Sequence, residues 1–271
     1  MIEDAAFARI HQTRVVARRE PADGVVVLTM QAPDLARCVR PGQFVMAIPP
    51  SAAAASVALG VYDVAESTAS LLFFIAGKRT KELASLRPND ALALAGPLGN
   101  GFDLSGRPRD VAIVAGGVGI ASVLLAAKEL VLAGSRVRLM YGARTAARLV
   151  ERDRFEDLGC AVAVATEDAS AGLRGYATAL FERAQPPQLV LACGPTPMLK
   201  ATAKIALAKE IEAQLSLEET FACGIGGCWG CVVPIDGNSA QAPHVPATQD
   251  GVVNARICRE GPVFSARELR W

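Results

Sequence analysis

The sequence has little of the chemistry that most acid–base and nucleophilic active sites use. Its 271 residues include only two histidines, and no grouping of His, Asp and Ser residues suggests nucleophilic or acid–base catalysis. Excess charge is missing as well, because 28 Lys and Arg residues are matched by 27 Asp and Glu residues, for a formal net charge of +1. Electrostatic attraction therefore gives no reason to expect nucleic acid or an anionic membrane as a partner.

Long hydrophobic runs are also absent. No stretch reaches the roughly 18 to 20 uninterrupted apolar residues that a transmembrane helix requires, and the amino-terminal segment has no apolar core followed by a cleavage site, as a secretory signal would have. The seven cysteines are odd in number, and three of them fall within nine residues, which is a poor arrangement for a disulfide framework. We therefore expect a cytoplasmic protein that makes no contact with a membrane.

The pattern along the chain predicts a multi-domain protein of the β plus α/β class. Residues 1–105 contain six short apolar strands separated by Gly, Pro and Asn turn signals, which predict a small antiparallel barrel or sandwich. Residues 106–212 alternate apolar strands with helical periodicity and predict a parallel sheet covered by helices. Residues 213–271 are rich in Gly, Cys and Pro, and a unit this small would gain stability from a bound metal.

Cysteines near the carboxyl terminus have the spacing of an iron–sulfur site. Cys223, Cys228 and Cys231 form a C-x4-C-x2-C run, and Cys258 follows at a distance, which is the ligand spacing of plant-type [2Fe–2S] clusters. The glycines between them would let backbone N–H groups turn toward the sulfurs. A zinc site with four cysteine ligands is the main alternative, although zinc ribbons usually present two separate C-x2-C pairs. The second alternative is that the spacing of the cysteines is coincidental.

Two further cysteines stand alone in the sequence. Cys38 and Cys160 lie among apolar residues of predicted strands, and free cysteine is among the most buried residue types. We expect both to be buried and to have no chemical role.

A glycine turn in the second unit suggests a nucleotide site. VAIVAGGVGIAS is a predicted strand, a turn with Gly117 and Gly119, and the start of a helix, an arrangement in which backbone amides can bind a pyrophosphate. Ser122 replaces the third glycine of G-x-G-x-x-G, so an ordinary strand-to-helix turn stays open as the alternative. A later strand ends in a C-G-P tripeptide that begins at Cys193, at the sheet edge where α/β proteins bind ligands. Cys193 is either beside a nicotinamide ring or a packed strand residue.

Together these motifs resemble a known family. The matching segments run from GPLGNGF at residues 96–102 through AGGVGIA, YGAR, ATED, ACGPTPMLK and FACGIGGCWGC to ICREGPVF, so they span nearly the whole chain after its first 90 residues. The chain resembles the electron-transfer subunit of NAD-dependent dihydroorotate dehydrogenase, within the ferredoxin-NADP reductase-like superfamily. The glycine–cysteine loop with its closing C-x-x-G-P-V-F is the most specific of the shared motifs.

The resemblance implies cofactors, site residues and a partner. Members of the family have an FAD-binding β-barrel, an NAD-binding α/β domain and a small C-terminal [2Fe–2S] domain, and they pass electrons from NADH to FMN in a separate dihydroorotate dehydrogenase subunit. Since a hydride carries two electrons and the cluster accepts one at a time, a flavin is needed between them. The implied cluster ligands are Cys223, Cys228, Cys231 and Cys258. The implied NAD-site residues are Gly116, Gly117, Gly119, Cys193, Gly194 and Pro195.

The flavin site departs from the family pattern. The family's Arg-Pro-x-Ser strand, which holds the flavin phosphates and ring, falls on VALG at residues 57–60, and an arginine of the next strand falls on Phe74. The family's Gly-Thr pair falls on Arg79 and Thr80, and Arg79 or Lys78 can supply the missing charge from another direction. Binding of FAD in another manner, weakly, or not at all is the alternative. By matched position, the flavin-site residues are Gly60, Arg79, Thr80 and Gly96.

The segment between Cys231 and Cys258 is longer than the family usually carries. Its sequence, which includes VPIDGNSAQAPHVPATQDG, is either a contact surface for a specific partner or a solvated insertion. His244 lies within it and is expected to be an exposed loop residue rather than a ligand.

Three functions are open on the sequence alone. The leading hypothesis is an NADH-dependent electron-transfer subunit that forms a hetero-oligomer with an FMN-containing dihydroorotate dehydrogenase catalytic subunit and acts in pyrimidine biosynthesis. A second hypothesis keeps the redox chain but changes the electron acceptor. A third gives weight to the altered flavin site and makes the protein a flavin-free binding or assembly subunit that keeps a cluster or zinc.

Overall fold

The amino-terminal unit is a closed barrel of six antiparallel strands in the computed structural model, which describes residues 9–51, 56–243 and 245–271. The strands and two short helices of this unit are β1 (Arg9–Ala22), β2 (Val25–Gln31), α1 (Pro33–Cys38), β3 (Phe44–Ile48), β4 (Val57–Ala65), β5 (Thr68–Phe74), α2 (Lys78–Ser85) and β6 (Ala91–Leu98). Around the barrel the strand order is β1-β2-β5-β4-β3-β6.

Strand β2 shows why this part of the sequence forms a barrel that packs against a second unit. Its side chains alternate between the two faces of the sheet, so Val26, Leu28 and Met30 belong to the core inside the barrel. Val25 and Val27 point the other way and pack in the core shared with the α/β unit. Burial on both faces explains the almost uninterrupted apolar run of this strand.

The second unit is a predominantly parallel sheet covered by helices. Its elements are β7 (Asp110–Gly116), a 3-10 turn (Gly117–Ser122), α3 (Leu124–Leu132), β8 (Arg136–Ala143), α4 (Arg152–Asp157), β9 (Ala161–Thr166), β10 (Leu173–Arg174), α5 (Ala177–Arg183), β11 (Leu189–Cys193), α6 (Thr196–Ala208) and β12 (Glu212–Ser216). Strand β7 lies in the middle of the order β10-β9-β8-β7-β11-β12, and all of its residues after Asp110 are buried. The carboxyl ends of β7 and β11 therefore meet at one edge of the sheet.

The carboxyl-terminal segment folds back onto this sheet. Strands β13 (Val232–Asp236) and β14 (Val252–Arg256) form an antiparallel pair, and β15 (Val263–Ser265) adds an antiparallel strand beside β12. The sheet thus includes strands on both sides of residue 212, and the domain boundaries at residues 105 and 212 stay predictions. Buried residues of β13, β14 and β15 share one apolar core with α5 and α6, which holds the cysteine segment against the α/β unit.

Several expectations from the sequence are confirmed, one is wrong, and one differs in detail. The first unit is a barrel and not a sandwich, and Cys160 is buried. The expectation for Cys38 is wrong, because this cysteine is exposed at the end of helix α1, whose buried residue is Leu35. The glycine turn leads into a 3-10 turn, and helix α3 starts only at Leu124. Within the part of the chain that the structure describes, no helix has the length and apolar character needed to span a membrane.

Candidate functional site

A cavity of about 210 Å³ lies where the barrel meets the α/β unit. It is bounded by strand β4, by the 3-10 turn and by the segment that follows β12. Its lining includes Ala58, Leu59, Gly60, Leu72, Val118, Ala121, Ser122, Ser216, Leu217, Glu218 and Phe221. Most of these side chains are apolar, so the cavity suits a flat aromatic group, and its few polar groups lie at the carboxyl ends of the sheet strands.

The polar groups of the cavity are connected to one another through Cys193. This cysteine is the last residue of β11 and is fully buried. Its thiol donates to Oε1 of Glu218 over 3.5 Å, and the hydroxyls of Ser122 and Ser216 lie near the same thiol. Burial raises the pKa of Cys193 well above its ordinary value, and the nearby Glu218 raises it further. The thiol therefore stays protonated and can donate its hydrogen bond to Glu218.

Glu218 is the one acidic group in this connected set. Glu218 is an exposed residue that lines the cavity. Desolvation by the protein around its carboxyl raises the pKa of Glu218, against the lowering effect of the hydrogen bond from Cys193. Glu218 was not anticipated from the sequence; its position directly after a predicted sheet strand is the signal that would have indicated it.

The glycine turn packs tightly against the end of β11. A Cβ on Gly119 would overlap the carbonyl of Cys193 and lie 2.7 Å from the nitrogen of Gly194, and a Cβ on Gly116 would lie 2.7 Å from Sδ of Met198. Gly117 has a φ of +54° and faces open space, so its backbone remains accessible to a ligand. The structure thus brings together the glycine turn and the C-G-P tripeptide, as the nucleotide-site hypothesis requires.

Two residues predicted for the NAD site, Gly194 and Pro195, lie at the junction of β11 and α6. Gly194 has a φ of +153° and approaches the backbone of Gly116 closely. Pro195 is exposed at the amino end of helix α6, where Pro197 occupies the first turn. A proline costs no amide hydrogen bond at this position.

The predicted flavin-site residues do not lie together. Gly60 lines the cavity. Arg79 lies outside that lining, where its Nη1 donates to the carbonyl of Ser56, just before β4, over 2.9 Å. Oγ1 of Thr80 accepts hydrogen bonds from the N–H groups of Ala76 and Gly77.

The positions of Gly96 and Phe74 are explained by packing. Gly96 is buried within β6, where its carbonyl contacts Nε2 of His11 and a Cβ would lie 2.8 Å from Cγ1 of Val45. Phe74, which stands where the family pattern has an arginine, packs beneath the guanidinium of Arg148, with 5.7 Å from Cζ to the ring centroid. The roles of Arg79, Thr80 and Gly96 toward a flavin stay predictions.

The four cysteines of the carboxyl-terminal segment form two pairs. Cys223 lies beside Cys228, and Cys258 lies beside Cys231. Cys231 and Cys258 are buried, whereas Cys228 is exposed. Across the described residues, no group of three or more His, Cys, Asp or Glu side chains is arranged to hold a metal ion as it stands.

Backbone amides create a favourable environment for a thiolate in this loop. Desolvation raises the pKa of Cys223, but N–H groups of Ile225, Cys228 and Gly227, with the Cys228 side chain, outweigh it and lower the pKa to about 6. Burial and the hydrogen bond with Cys231 raise the pKa of Cys258 to about 12. Amides aimed at sulfur suit an anionic iron–sulfur cluster, which gathers negative charge on its ligands.

Two glycines are needed to form the loop. Gly224 has a φ of +69°, and a Cβ there would overlap the side chain of Met46 in β3. Gly226 has a φ of +84°, and a Cβ there would lie 2.7 Å from Cδ of Arg259. Gly227, in contrast, has open space around it. The glycine content of this loop therefore reflects both backbone conformation and close packing.

Short contacts connect the cavity to the cysteine loop. Phe221 lines the cavity, and Cys223 follows it two residues later. The ring of Phe221 also packs on Phe44 of β3, with 5.1 Å between centroids. A group in the cavity and a group held by Cys223 would thus lie on either side of one short, well-packed segment.

These units and their order define a class of protein. A barrel next to a nucleotide-type sheet, with an aromatic-sized cavity at their junction and a cysteine loop beside it, is the architecture of a ferredoxin reductase-like electron-transfer protein. Residues 218–270 match the model of the iron–sulfur cluster binding domain of dihydroorotate dehydrogenase B.

Whole-chain relatives identify the family. The chain is 35% identical over 259 residues to the dihydroorotate dehydrogenase B (NAD(+)) electron transfer subunit of Caldanaerobacter subterraneus, covering 95% of this chain and 97% of that protein. It is 34% identical to the corresponding subunit of Clostridium acetobutylicum, covering 85% and 86% of the two chains. This chain belongs to the family of dihydroorotate dehydrogenase B electron transfer subunits, so it is an electron-transfer subunit of an NADH-dependent oxidoreductase.

A solved structure agrees in fold over the full length. The NADH-dependent reduced ferredoxin-NADP oxidoreductase, studied for flavin-based electron bifurcation, matches with a TM-score of 0.80 and 26% identity, covering 100% of this chain and 92% of that chain. A ferredoxin NADP+ reductase from Neisseria gonorrhoeae has the same fold over 74% of this chain and 92% of its own, with a TM-score of 0.64 and 19% identity.

Proposed function

We propose that this chain carries electrons from NADH through FAD in the cavity to a [2Fe–2S] cluster on Cys223, Cys228, Cys231 and Cys258. From the cluster the electrons pass to FMN in a dihydroorotate dehydrogenase catalytic subunit. The observation that carries the proposal is the position of Phe221, which lines the cavity two residues before the first cysteine. The flavin, when bound, converts a two-electron hydride donor into a one-electron supply for the cluster.

The pairing of the thiols supports a two-iron cluster over a single zinc ion. Cys223 lies beside Cys228, and Cys231 lies beside Cys258. Each pair is suited to one iron of a [2Fe–2S] cluster, with two thiolates per iron. The exposed Cys228 and the buried Cys231 and Cys258 give the site one solvent-facing side and one protein-facing side.

The nucleotide turn supports hydride donation from NADH. Its accessible backbone at Gly117 can receive the pyrophosphate, and the adjacent Cys193 lies behind the cavity wall at the carboxyl end of β11. The nicotinamide ring would enter between these elements and reach the flavin ring from the side of the α/β unit. The residues of the chain bind and orient the two rings here, and Ser122 supplies a hydroxyl at their edge.

The surface around the cysteine loop supports a protein partner as the electron acceptor. Ile225, Trp229 and Val232 are exposed by 54%, 42% and 41%, and all three lie within four residues of the exposed Cys228 in the chain. We call Ile225, Trp229 and Val232 the apolar rim. Apolar and aromatic residues grouped on a surface are typical of contact sites between proteins, and an acceptor docked on the apolar rim would bring its own cofactor close to the cluster.

Trp229 is held in a defined orientation within the apolar rim. It adopts a φ of +56°, and the guanidinium of Arg256 lies 4.4 Å from its ring centroid. Arg256 in turn is fixed by Glu260 and by the carbonyl of Gly226. A fixed aromatic side chain loses little conformational freedom on docking, which favours a role as an anchor.

The cysteines also support a cytoplasmic location. All seven are free thiols, and thiols that are meant to bind a cluster persist best in a reducing compartment.

One purification tests the proposed function. The chain is isolated anaerobically, alone and with the catalytic subunit of its own source, and its absorption spectrum, acid-released flavin and iron are measured. We expect one FAD and two irons per chain, reduction of both by NADH, and dihydroorotate-dependent turnover only in the complex. Zinc in place of iron would contradict the cluster, and a chain without flavin that does not oxidise NADH would favour the assembly-subunit hypothesis.

A further inference from the structure

The hydroxyl of Ser122 occupies the space that a side chain at position 60 would need. A Cβ built on Gly60 would lie 2.7 Å from Oγ of Ser122 and 3.6 Å from its Cβ. The first distance is shorter than the approach that real Cβ atoms make. Gly60 belongs to barrel strand β4, whereas Ser122 ends the 3-10 turn of the α/β unit. The two positions therefore compete for one volume across the junction of two units.

The backbone of Gly60 does not itself require glycine. Its φ lies outside the left-handed range, as expected within a β-strand. A serine at position 60 would be compatible with that conformation. The absent side chain is therefore explained by Ser122 and not by backbone geometry.

Ser122 is the hydroxyl that lies next to β4 in the cavity. Its neighbours in the lining on that side, Ala58, Leu59 and Ala121, carry no polar side-chain atom. A flat heteroaromatic ring with polar atoms at its edge needs a hydrogen-bond partner when it is buried. The hydroxyl of Ser122 also lies near the buried thiol of Cys193.

We propose that Gly60 and Ser122 form a matched pair, in which the hydroxyl that hydrogen-bonds the ring edge of the flavin is supplied by the α/β unit instead of the barrel strand. This inference rests on the proposed function, in which the cavity holds the flavin ring. Ser122 is a binding and positioning residue, and Gly60, which has no side chain, leaves room for its hydroxyl. Flavin affinity then depends on contact between the two units as well as on the barrel.

A cycle of substitutions tests the pairing through flavin binding. FAD is removed from wild-type protein and from the variants Ser122→Ala, Gly60→Ser and Gly60→Ser/Ser122→Ala, and the Kd for added FAD is measured by quenching of flavin fluorescence. Ser122→Ala is expected to weaken FAD binding about fivefold, which corresponds to the loss of one neutral hydrogen bond. Gly60→Ser should weaken binding as well, since its side chain meets Ser122. The double variant has room for the serine side chain at position 60, and that serine supplies a hydroxyl. Its Kd should return to within about twofold of wild type.

Stability of the flavin-free chain provides a readout independent of the cofactor. Gly60→Ser should lower the midpoint of urea unfolding because its side chain meets Oγ of Ser122, and Ser122→Ala should remove that loss in the double variant. Ser216→Ala is the matched control, because Ser216 also lies near the thiol of Cys193 and lines the same cavity, whereas the atoms nearest to a Cβ at Gly60 all belong to Ser122. Gly60→Ser/Ser216→Ala should show no recovery in either measurement.

The outcomes separate this inference from the proposed function. If wild-type protein binds no FAD, both are overturned. If wild-type protein binds FAD while Ser122→Ala has the same Kd, or while the double variant recovers neither affinity nor stability, only the pairing of Gly60 and Ser122 is overturned.

Discussion

The phenol hydroxyl of Tyr62 donates a 2.5 Å hydrogen bond to Oε2 of Glu151. This contact joins barrel strand β4 to the residue that precedes helix α4, and Arg19 of β1 pairs with the same carboxylate. In the neighbouring position of β4, the carboxylate of Asp63 accepts hydrogen bonds from Lys128 and Arg154 of the α/β unit. The two units that bound the cavity are thus connected by a network of charged groups in addition to their shared apolar core.

Tyr62→Phe is expected to weaken this connection. The substitution keeps the ring but removes the phenol donor to the Glu151 carboxylate, which keeps its pair with Arg19. A hydrogen bond to a charged group typically contributes about 1.5–3 kcal/mol. We expect the free energy of unfolding, measured with urea, to fall by an amount in that range. Tyr176→Phe is the matched control, because Tyr176 is 63% exposed. Equal effects of the two substitutions would contradict a specific role for the Tyr62–Glu151 bond.

Gly224→Ala should impair the cysteine loop, while Gly227→Ala should not. A Cβ at Gly224 meets Met46 at a positive φ, whereas Gly227 has open space. Overpacking of this kind costs about 1–3 kcal/mol, so Gly224→Ala should reduce both the iron bound per chain and the unfolding midpoint. The measurement is iron content after identical anaerobic reconstitution. A Gly224→Ala chain that takes up iron as the Gly227→Ala chain does would show that the packing against β3 is not needed.

Trp229→Asn should weaken association with the catalytic subunit. Asparagine tolerates the positive φ of this position, so the change removes the aromatic anchor with little backbone strain. Anchors of this type contribute about 2 kcal/mol or more to binding, or roughly 30-fold in Kd. Leu132→Asn is the control, because Leu132 is 86% exposed at the end of helix α3 and lies outside the apolar rim. The Kd is measured by titration of the partner, with cluster absorbance recorded for each variant. Equal affinities would rule out docking on the apolar rim.

Glu218 should make stability depend on pH. Burial raises the pKa of its carboxyl above the ordinary value of 4.5, so the protonated form is favoured in the folded state. Its contribution to stability is complete below the ordinary pKa and is lost as pH rises through the folded-state pKa. Glu218→Gln should therefore show a smaller loss of stability over this pH range than wild type.

The comparison is made on the flavin-free chain by urea unfolding at a series of pH values. Glu212→Gln serves as the control, since Glu212 lies at the start of β12, at the opposite end of that strand from Cys193. Parallel curves for wild type and Glu218→Gln would contradict the pKa shift.

Much of the architecture could be predicted because it follows from local patterns. Alternating apolar residues predict the barrel strands, and continuous apolar runs such as residues 111–116 predict the buried parallel strands. The cysteine spacing predicts the cluster loop, since four ligands of one site must follow a restricted backbone path. His244 lies outside the described residues, and the remainder of its loop is partly fixed, because Gln241 donates to the carbonyls of Glu260 and Val263.

What the sequence determined by itself was the order of units, the family and the cysteine ligands expected for the cluster. Only the tertiary structure revealed that Ser122 lies over Gly60, that Glu218 reaches Cys193, and that Phe221 separates the cavity from the cysteine loop. These relationships join residues from different units, and their distances are set by how the barrel, the sheet and the carboxyl-terminal segment pack. In the sequence, glycine at position 60 looks like the loss of the serine of the family pattern. The residue whose side chain fills that space is Ser122, which stands 62 positions further along the chain.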